Sequence, residues 1–242
     1  MKSSVSVVIP AKNESVAIGD TVKGVLRFFP AAEVIVVNDG SSDDTATIAE
    51  NAGARVLTQP YSKGNGAAVK AGMRAANGEI VVCMDADGQH RPEDISPLLE
   101  KLNEGYDMVV GARSLGGQAG LHRSLANGFY NRFASWMVGH RIDDLTSGFR
   151  AVRRSKFLEF VTLLPNKFSY PTTITMSFFR AGYSVAYVPI TVLRRAEGSK
   201  SHINLTKDGL RFLLIIFKIG TLFSPLKLFF PISLALGSGG VI

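Results

Sequence analysis

The sequence of 242 residues is poor in the side chains that build disulfides and thiol or imidazole metal sites. It has one cysteine, Cys83, and four histidines scattered along the chain: His90, His122, His140 and His202. A single cysteine excludes an internal disulfide and a cysteine-rich zinc site. The scattered histidines argue against a histidine cage, so neither kind of metal centre is expected.

The sequence also lacks a long apolar run. No charge-free run reaches the roughly 20 residues that a spanning helix needs. Near the C-terminus Lys218 and Lys227 interrupt the apolar residues, and Pro225 and Pro231 are helix breakers. We therefore expect residues 206–242 to form an amphipathic juxtamembrane helix and the start of a truncated membrane segment. No signal peptide is expected, because a strand begins almost at the N-terminus.

Acidic residues are scarce in the second half of the chain, and the two halves carry opposite net charges. Residues 1–110 hold 10 Lys and Arg against 15 Asp and Glu, a net of −5, whereas residues 111–242 hold 17 against 5, a net of +12. This asymmetry predicts a first half that uses a cation and a second half that meets anions. Phosphates, a membrane surface and nucleic acid are all candidate anionic partners.

Strand and helix patterns alternate over the first 111 residues, which indicates an α/β fold. Such alternation predicts a mainly parallel sheet with helices on both faces, and we expect one domain over residues 1–205. Pro10 is expected to end the first strand, and Asn13 to cap the first helix. The predicted strands are 5–9, 33–37, 54–57, 80–84 and 108–110, and the later predicted helices are 45–51, 66–76 and 92–103.

The residue pattern of 121–138 predicts a further helix, in which Arg123 and Arg132 lie among aromatic residues. The mixture suits a helix that lies on a membrane interface. A core helix with arginines at its edge fits the pattern nearly as well.

The stretch VVCMDADGQH at residues 81–90 places two aspartates after a buried strand. Side chains two apart on extended chain point the same way, so Asp85 and Asp87 are expected to face one ligand at the crevice of the sheet. Carboxylates are typical ligands of Mg²⁺ or Mn²⁺ that is shared with a substrate's phosphates, and Gln89 could add a carbonyl. Alternatively, Asp and Gly merely end the strand.

Two loops of the first half are candidates for nucleotide contacts. In NDGSSDDT, residues 38–45, Asp39 could reach a base or ribose. The run KGNGAAVKAG, residues 63–72, matches neither the nucleoside triphosphatase nor the dinucleotide pattern, and both functions are rejected. Lys63 still lies where it could meet a ligand at a helix N-terminus.

Three places in the second half could bind a phosphate. They are Arg113, the stretch DLTSGFR at residues 144–150, and the basic stretch RRAEGSK at residues 194–200. The guanidinium group of arginine can donate two hydrogen bonds to the oxygens of one phosphate. Taken alone, each of these places could equally consist of charged side chains that are solvated at the surface.

The ordered set VVIPAKNES, VIVVNDGSSDDT, KGNGAAVKAG, MDADGQHRPEDI, GAR, DDLTSGFRA and RAEGSK resembles the family-two inverting glycosyltransferases of the GT-A fold. It is similar in particular to the polyprenyl-phosphate glycosyltransferases that resemble dolichyl-phosphate mannosyltransferase. The resemblance implies transfer of a hexose from GDP-mannose or UDP-glucose to a polyprenyl phosphate, with Mg²⁺ or Mn²⁺, at the cytoplasmic face of a membrane. It implies no nucleic-acid partner.

The resemblance also implies roles for individual residues. The metal would be held by Asp85, Asp87 and Gln89, and catalysis would involve Asp87, Arg113 and Asp144. The nucleotide sugar would contact Pro10, Asn13, Glu14, Asn38, Asp39, Lys63, Gly64 and Asp85. The acceptor phosphate would contact Arg113, Arg123, Ser147, Arg195, Ser199 and Lys200.

The sequence departs from the family pattern at Lys12, where an aromatic residue is common, and at Asn38, where a first aspartate is common. The last basic loop is one residue shorter than expected. Two other functions remain open from the residues alone: a related transferase with a polysaccharide or other lipid acceptor, and a non-catalytic module that binds anionic membranes or nucleic acid.

Overall fold

A computed structural model describes residues 4–113, 121–167, 169–193, 205–223 and 225–239. For residues 121–126, 205–212, 232, 235, 238 and 239 it describes the backbone only.

The described chain forms a seven-stranded sheet in the order β3-β2-β1-β4-β6-β5-β7. Only β6 runs antiparallel to its two neighbours, so the prediction of a mainly parallel sheet is confirmed. The strands are β1 Val5–Ala11, β2 Glu33–Asn38, β3 Arg55–Thr58, β4 Ile80–Cys83, β5 Met108–Arg113, β6 Arg150–Arg153 and β7 Val185–Ile190.

Nine helices accompany these strands in the described residues. They are α1 Ile18–Phe28, α2 Thr45–Asn51, α3 Asn65–Ala75, α4 Ile95–Asn103, α5 Leu121–Val138, α6 Arg154–Glu159, α7 Tyr170–Arg180, α8 Leu205–Phe223 and α9 Pro225–Gly239. A 3₁₀ turn, Pro92–Asp94, precedes α4, so the predicted helix 92–103 begins with a tighter turn.

Pro10 does not end the first strand, contrary to the sequence prediction. β1 continues to Ala11, and Pro10 lies opposite Val37 of β2. The Met84 amide donates to the Val8 carbonyl on the β4 side. Because alternate residues of a strand face the same neighbour, Pro10 also faces β4, which has already ended there. Its missing N–H therefore costs no ladder hydrogen bond.

Asn13 is not the cap of the first helix. It adopts a left-handed conformation with φ of 54°, and α1 begins at Ile18 after the cap residue Ala17. The Asn13 side chain instead accepts a hydrogen bond from the Ser42 amide at 2.8 Å. A short asparagine tolerates this conformation, which lets the chain turn before the helix starts.

Strands β6 and β7 were not predicted. β6 has four residues and an arginine at each end, and β7 contains Pro189, so neither shows the usual strand pattern. β7 pairs only with β5 and forms the edge of the sheet, where a proline is tolerated.

The two faces of the sheet are covered by separate apolar clusters. On one face Ile18 and Val22 of α1 and Ile95 and Leu98 of α4 are fully buried against the strands. The other face is covered by α3, α6 and α7. These clusters keep the strands fixed while the ends of the strands stay available for a site.

A third apolar cluster joins α5, α8 and α9 to the domain, and it includes Ala134, Met137, Ile216 and Leu228. One face of α5 is buried in this cluster, while the opposite face exposes two aromatic side chains, Phe129 and Trp136. A membrane contact of that exposed face stays a prediction.

Two basic side chains fasten α8 and α9 to the domain. Arg180 donates to the Phe223 carbonyl at the end of α8, and the Lys227 ammonium lies 3.4 Å from the carbonyls of Trp136 and Met137 at the end of α5. Cations at helix C-termini satisfy free carbonyls and interact favourably with the helix dipole.

Among the described helices, none is by itself long and apolar enough to cross a membrane. Leu213–Phe223 and Pro225–Pro231 meet the length and composition criteria together, with a bend of 106° between them.

The first turn of α3 packs directly on the backbone of residues 165–167. The Gly66 amide donates to the Lys167 carbonyl at 3.1 Å, and the Ala67 amide donates to the Asn166 carbonyl at 2.8 Å. A Cβ atom on Gly66 would overlap the Pro165 carbonyl oxygen. Only glycine allows this approach of two backbones.

We expect Gly66→Ala to lower the free energy of unfolding by about 1–3 kcal/mol, because the added methyl group forces the two backbones apart. Urea unfolding measures the effect. Gly128→Ala is the matched control, since its Cβ would have no atom within 4 Å. Alanine at this exposed helix position should raise the free energy of unfolding by about 0.5–1 kcal/mol. Equal midpoints for the two variants would contradict the packing argument.

Candidate functional site

One edge of the sheet collects the ends of the six parallel strands, β1, β2, β3, β4, β5 and β7, together with the beginning of antiparallel β6. From β1 the chain goes to β2 and β3 on one side, whereas β4 lies on the other side. Open α/β sheets bind ligands in the crevice at such a reversal of strand order. The candidate site is therefore this edge.

The loops after β1 and β2 are held together by side chain to backbone hydrogen bonds. The Asn13 amide donates to the Ser41 hydroxyl at 3.0 Å, and the Glu14 amide donates to the Thr45 hydroxyl at 2.9 Å. The Ser42 amide returns a bond to the Asn13 side chain. Asn13 and Glu14, both predicted nucleotide contacts, thus lie at the edge on a loop of fixed shape.

Asp39 organises the loop that follows β3. It is buried, and its carboxylate accepts hydrogen bonds from the amides of Lys63 at 2.7 Å and Gly64 at 2.9 Å and from the Ser62 hydroxyl at 2.8 Å. Lys12 in turn donates to the Ser62 hydroxyl at 3.0 Å. The predicted contact of Asp39 with a nucleotide stays a prediction, because the carboxylate's observed partners belong to the protein.

Two amides in the first turn of α3 are engaged by the protein's own backbone, which weakens the expectation that Lys63 meets a ligand at a helix N-terminus. The amides of Gly66 and Ala67 already donate to backbone carbonyls of residues 166 and 167. The Lys63 ammonium lies 5.4 Å from the centre of the Tyr61 ring. Lys63 therefore remains a candidate ligand contact as a side chain, without help from a helix dipole.

Asn38 ends β2 and is buried. Its side-chain oxygen accepts a hydrogen bond from the Ser41 amide at 3.0 Å, which turns the chain away from the strand. Asparagine at this position supplies a neutral acceptor for the turn, and Asp39 is the acidic residue of the pair.

Asp85 and Asp87 follow β4, but the chain between them is not extended. β4 ends at Cys83, and Ala86 and Asp87 lie in a turn that Gly88 continues with φ of 72°. Asp85 is partly exposed, whereas Asp87 is buried and accepts the Gln89 amide at 3.1 Å. Asp85 and Asp87 therefore do not lie on extended chain, contrary to the sequence prediction, and their contact with one shared ligand stays a prediction.

His90 supports this turn from inside the protein. It stacks on Phe149 with ring centres 4.8 Å apart, and the Asp85 amide donates to its Nδ1 atom at 3.4 Å. The buried ring thus fixes the backbone from which the Asp85 side chain projects.

Gln89 makes a two-way contact with the chain beyond β7. The backbone amide of Leu193 donates to the backbone carbonyl of Gln89 at 2.9 Å, and the side-chain nitrogen of Gln89 donates to the backbone carbonyl of Leu193 at 3.1 Å. Its predicted role as a metal ligand stays a prediction. The contact shown ties the turn after β4 to the residue that directly precedes the basic stretch 194–200.

The donor set fits a divalent cation that is shared with a ligand. Among the described residues, no group of three or more His, Cys, Asp or Glu side chains is arranged to hold a metal ion. The turn does offer two hard carboxylates, and Gly148 leaves room beside Asp85, since a Cβ there would lie 3.2 Å from both carboxylate oxygens. Mg²⁺ is commonly held by one or two carboxylates with substrate phosphates and water.

Arg113 and Asp144 form a bidentate ion pair at the end of β5. Arg113 donates from Nε at 2.8 Å and from Nη2 at 2.9 Å, and Nη2 also donates to the Thr146 hydroxyl at 2.5 Å. The Asp144 side chain is 6% exposed and that of Arg113 is 30% exposed. This geometry fixes the guanidinium at the edge of the site.

The pair shifts the pKa of both members. Burial acts to raise the pKa of Asp144, but the hydrogen bonds and charge of Arg113, with backbone amides, lower it overall. Burial likewise acts to lower the pKa of Arg113, but Asp144 and, more weakly, Asp85 raise it overall. Asp144 is therefore a stable anion and a weak base, and Arg113 lies within electrostatic reach of the Asp85 carboxylate.

Two side chains of the DLTSGFR stretch are turned away from the edge. Ser147 is buried and its hydroxyl is 3.5 Å from the Phe149 carbonyl, which argues against the predicted contact with an acceptor phosphate. Arg150 is fully buried below the edge and donates to the Thr175 hydroxyl and to the carbonyls of Ser147 and Pro171. The prediction that Arg150 could bind a phosphate is wrong.

Four predicted phosphate contacts are not part of the described site. Arg195, Ser199 and Lys200 lie outside the described residues, and the side chain of Arg123 in α5 lies outside them as well.

Two residues that shape the site were not predicted from the sequence: Gly148 and Leu193. The DLTSGFR stretch was selected for its carboxylate, hydroxyls and arginine, and its glycine carried a signal that was not used, because glycine beside a strand often marks a close approach. Leu193 has no sequence signal, since it acts through its backbone.

We expect Arg113→Met to lower the free energy of unfolding at neutral pH by about 2–3 kcal/mol, because Asp144 stays buried without its partner. The pKa of Asp144 is lowered from 3.8 in the folded protein, so this stability is present above that value and is lost as the pH falls through the folded pKa. The difference between the two proteins should therefore narrow below about pH 4.

Urea unfolding between neutral and acid pH measures this difference. The matched control is Arg141→Met, because Arg141 pairs with Asp143 but its side chain is 90% exposed, and a change within about 0.5 kcal/mol is expected there. A difference for Arg113→Met that does not depend on pH would contradict the ion-pair argument.

Comparison with known proteins agrees with this geometry. Residues 6–160 match the family model described as glycosyl transferase family 2. A dolichyl-phosphate hexose transferase of Haloferax volcanii is 34% identical over 81% of this chain and 85% of its own length. A polyprenol monophosphomannose synthase of Mycolicibacterium smegmatis is 31% identical over 79% of this chain and 78% of its own.

Among solved structures, glucosyl-3-phosphoglycerate synthase of Mycobacterium tuberculosis, in complex with Mn²⁺, uridine diphosphate and phosphoglyceric acid, matches with a TM-score of 0.73. It is 23% identical and the match covers 90% of this chain and 79% of that one, so the likeness concerns the GT-A-like fold. The chain belongs to glycosyl transferase family 2.

Proposed function

We propose that the protein transfers a hexose from a nucleoside-diphosphate sugar, GDP-mannose or UDP-glucose, to a polyprenyl phosphate at the cytoplasmic face of a membrane. The observation that supports this most directly is the meeting of two opposite charges at one sheet edge. The carboxylates of Asp85 and Asp87 lie after β4, and the guanidinium of Arg113, the last residue of β5, is fixed by Asp144. Two relatives above 30% identity are named for transfer to such lipids.

The acidic turn is the proposed donor side. Mg²⁺ or Mn²⁺ held between Asp85, Asp87 and the donor's diphosphate would stabilise the charge that develops on the leaving nucleoside diphosphate. Gln89 stays a candidate third ligand through its side-chain oxygen, because its nitrogen is engaged by the Leu193 carbonyl. Pro10, Asn13, Glu14, Asn38 and Gly64 would surround the nucleotide from the loops after β1, β2 and β3.

Arg113 is the proposed acceptor side. A phosphate oxygen of the lipid attacks the anomeric carbon, a new carbon–oxygen bond forms, and the bond to the nucleoside diphosphate breaks on the opposite face. Such a single displacement inverts the anomeric configuration. A phosphate monoester has a second pKa near 6 and is mostly dianionic at neutral pH, so it needs no strong base.

Asp144 acts in this scheme as a positioning residue for Arg113. Its carboxylate accepts bonds from Arg113 and from the amides of Thr146 and Ser147, and its pKa is lowered, so it is a poor proton acceptor. The reaction then depends on orienting two mutually repelling anions in line.

The test of this function is transfer of label from UDP- and GDP-sugars to a short polyprenyl phosphate, with Mn²⁺ or Mg²⁺ and with chelator. Metal-dependent label in the lipid phase is the expected result. Donor hydrolysis without lipid labelling would indicate a polysaccharide or another lipid as acceptor. Salt-sensitive oligonucleotide binding without donor binding would favour the non-catalytic module and contradict the proposal.

We expect Asp85→Ala and Asp87→Ala each to lower the transfer rate by about 100-fold or more, since each removes a carboxylate of the donor side. Glu50→Ala is the control, because Glu50 is exposed near the end of α2, away from the edge. Thermal unfolding establishes that the variants are folded. An active Asp87→Ala protein would remove the argument for a metal.

Membrane association is proposed for the helices that follow the domain. α9 exposes Leu226, Phe230, Leu234 and Leu236, and α8 exposes Leu214, Phe217 and Leu222. Large exposed apolar patches mark protein or membrane contacts.

We expect the double variant Leu226→Ser and Phe230→Ser to bind vesicles of phosphatidylglycerol and phosphatidylcholine at least about 10-fold more weakly, because each apolar side chain contributes about 1.5–3 kcal/mol when buried. Co-sedimentation measures the binding. Phe28→Ser removes an aromatic residue of α1 that is also exposed, and it should leave binding unchanged. Wild-type binding by the double variant would place the membrane contact elsewhere.

A further inference from the structure

Arg150 is a fully buried arginine whose observed hydrogen bonds run to neutral groups. It donates to the carbonyls of Ser147 and Pro171 and to the Thr175 hydroxyl at 3.1 Å, and its guanidinium lies 5.6 Å from the centre of the Tyr170 ring. Burying a charge is costly unless hydrogen bonds compensate for it. Because burial of this guanidinium costs free energy, its position directly below the candidate site suggests that it contributes to the function of the site.

The pairing of β4 and β6 relates Arg150 to the acidic turn. Cys83, the last residue of β4, lies opposite Arg150, the first residue of β6. If the antiparallel register continues by two residues, Asp85 lies opposite Gly148. Directly opposite residues of an antiparallel pair project their side chains from the same face. A Cβ on Gly148 would lie 3.2 Å from both Asp85 carboxylate oxygens, which agrees with this pairing.

Two buried side chains hold the backbone at Ser147 and Gly148. Arg150 donates to the Ser147 carbonyl, and the Tyr170 hydroxyl donates to the Gly148 carbonyl at 3.1 Å. Burial, first of all, raises the pKa of the Tyr170 hydroxyl, which also interacts with the Cys83 thiol, so it stays a neutral donor. The backbone beside the Asp85 carboxylate is thus fixed from below by one guanidinium and one hydroxyl.

We propose that Arg150 and Tyr170 are positioning residues that act through the Ser147–Gly148 backbone on the Asp85 carboxylate and thereby set the protein's affinity for the divalent cation. This inference rests on the proposed function. Neither side chain touches the cation or a substrate. Groups that orient metal ligands commonly change metal affinity by about 10–100-fold when they are replaced.

Three substitutions test different parts of this connection. Gly148→Ala adds a methyl group 3.2 Å from both Asp85 oxygens and crowds the carboxylate directly. Tyr170→Phe keeps the buried ring and removes only the hydroxyl that holds the Gly148 carbonyl. Arg150→Lys keeps the charge and loses the fork that reaches both Ser147 and Thr175.

The measurement is Mn²⁺ binding in the presence of GDP or of UDP, with no acceptor present. The electron paramagnetic resonance signal of free Mn²⁺ reports how much of the ion is bound. We expect Gly148→Ala and Tyr170→Phe each to weaken Mn²⁺ binding by roughly 10-fold. In the transfer assay, the Mn²⁺ concentration for half-maximal rate should rise by the same factor, while the rate of Tyr170→Phe at saturating Mn²⁺ returns to that of the wild type.

The controls reproduce each chemical change away from Asp85. Gly19→Ala introduces a Cβ at 3.0 Å from a methyl group of Ile48, and Tyr183→Phe removes a hydroxyl that donates to Glu159. Both should bind Mn²⁺ as the wild type does. Thermal unfolding reports any general loss of structure, and Tyr170→Phe decides the matter if Gly148→Ala does not fold.

The outcomes separate this inference from the proposed function. Wild-type protein that binds Mn²⁺ with a nucleotide and transfers sugar, together with a Tyr170→Phe protein that binds Mn²⁺ equally well, would overturn the positioning role alone. Wild-type protein that binds no Mn²⁺ with either nucleotide would overturn both. Weaker binding by Tyr170→Phe at an unchanged thermal midpoint supports the inference.

Discussion

The reversed direction of β6 is the constraint on which the site depends. β4 and β5 run parallel to each other and end at one edge, and β6 lies between them with the opposite direction. The chain that enters β6 therefore passes between the ends of β4 and β5. That position puts Gly148 beside Asp85 and Asp144 beside Arg113. One strand thus connects the two charged sides of the crevice.

The register of β6 is as important as its direction. A slip by one residue would turn every side chain of the strand to the other face. Phe149, which stacks on His90 and belongs to the core on one face, and Arg150, which is buried on the other, would have to exchange places. Such a slip would also replace Gly148 with a larger residue beside Asp85. The buried neighbours of β6 therefore fix the geometry of an exposed carboxylate.

Several charged residues at this edge act first on the protein's own backbone. Asp39 accepts from the amides of residues 63 and 64, Asp144 accepts from those of Thr146 and Ser147, and Arg150 donates to carbonyls. Loops that lack regular secondary structure are thereby held in one shape. Dipoles and charges that are fixed before a ligand arrives need not reorganise during the reaction. The buried charges thus contribute to a preorganised site.

The sequence predicted the parallel part of the fold because apolar runs and helical spacing are local signals. The strands at 33–37 and 80–84 and the helix at 45–51 were found within a residue of their observed ends. β6 and β7 were missed because their pattern reflects pairing partners, an antiparallel insertion for β6 and an edge for β7.

Residue type and position after a strand were enough to predict that Arg113 and Asp85 lie at one edge. They were not enough where the direction of the backbone determines which way a side chain points. The sequence could not show that Arg150 is buried in the core, since the polar stretch DLTSGFR has the composition of an exposed loop. The same pattern hid the close approach that requires Gly148, because the contact joins residues that are 63 positions apart.

The balance of charge explains why the crevice needs more than its described side chains. Asp85 and Asp87 would repel a nucleoside diphosphate unless a cation lies between them, as the proposed function requires. On the other side Asp144 offsets much of the charge of Arg113, so this pair alone cannot neutralise a phosphate dianion. In the proposed function, the half of the chain with a net of +12 supplies further positive charge.

The described backbone indicates where that charge begins. β7 ends at the same edge as β4 and β5, and Gln89 of the acidic turn holds Leu193 from both sides. The next residue in the sequence is Arg194, the first of the stretch RRAEGSK. The two hydrogen bonds between Gln89 and Leu193 therefore tie the acidic turn of the first half to the residue that precedes a basic stretch of the second half.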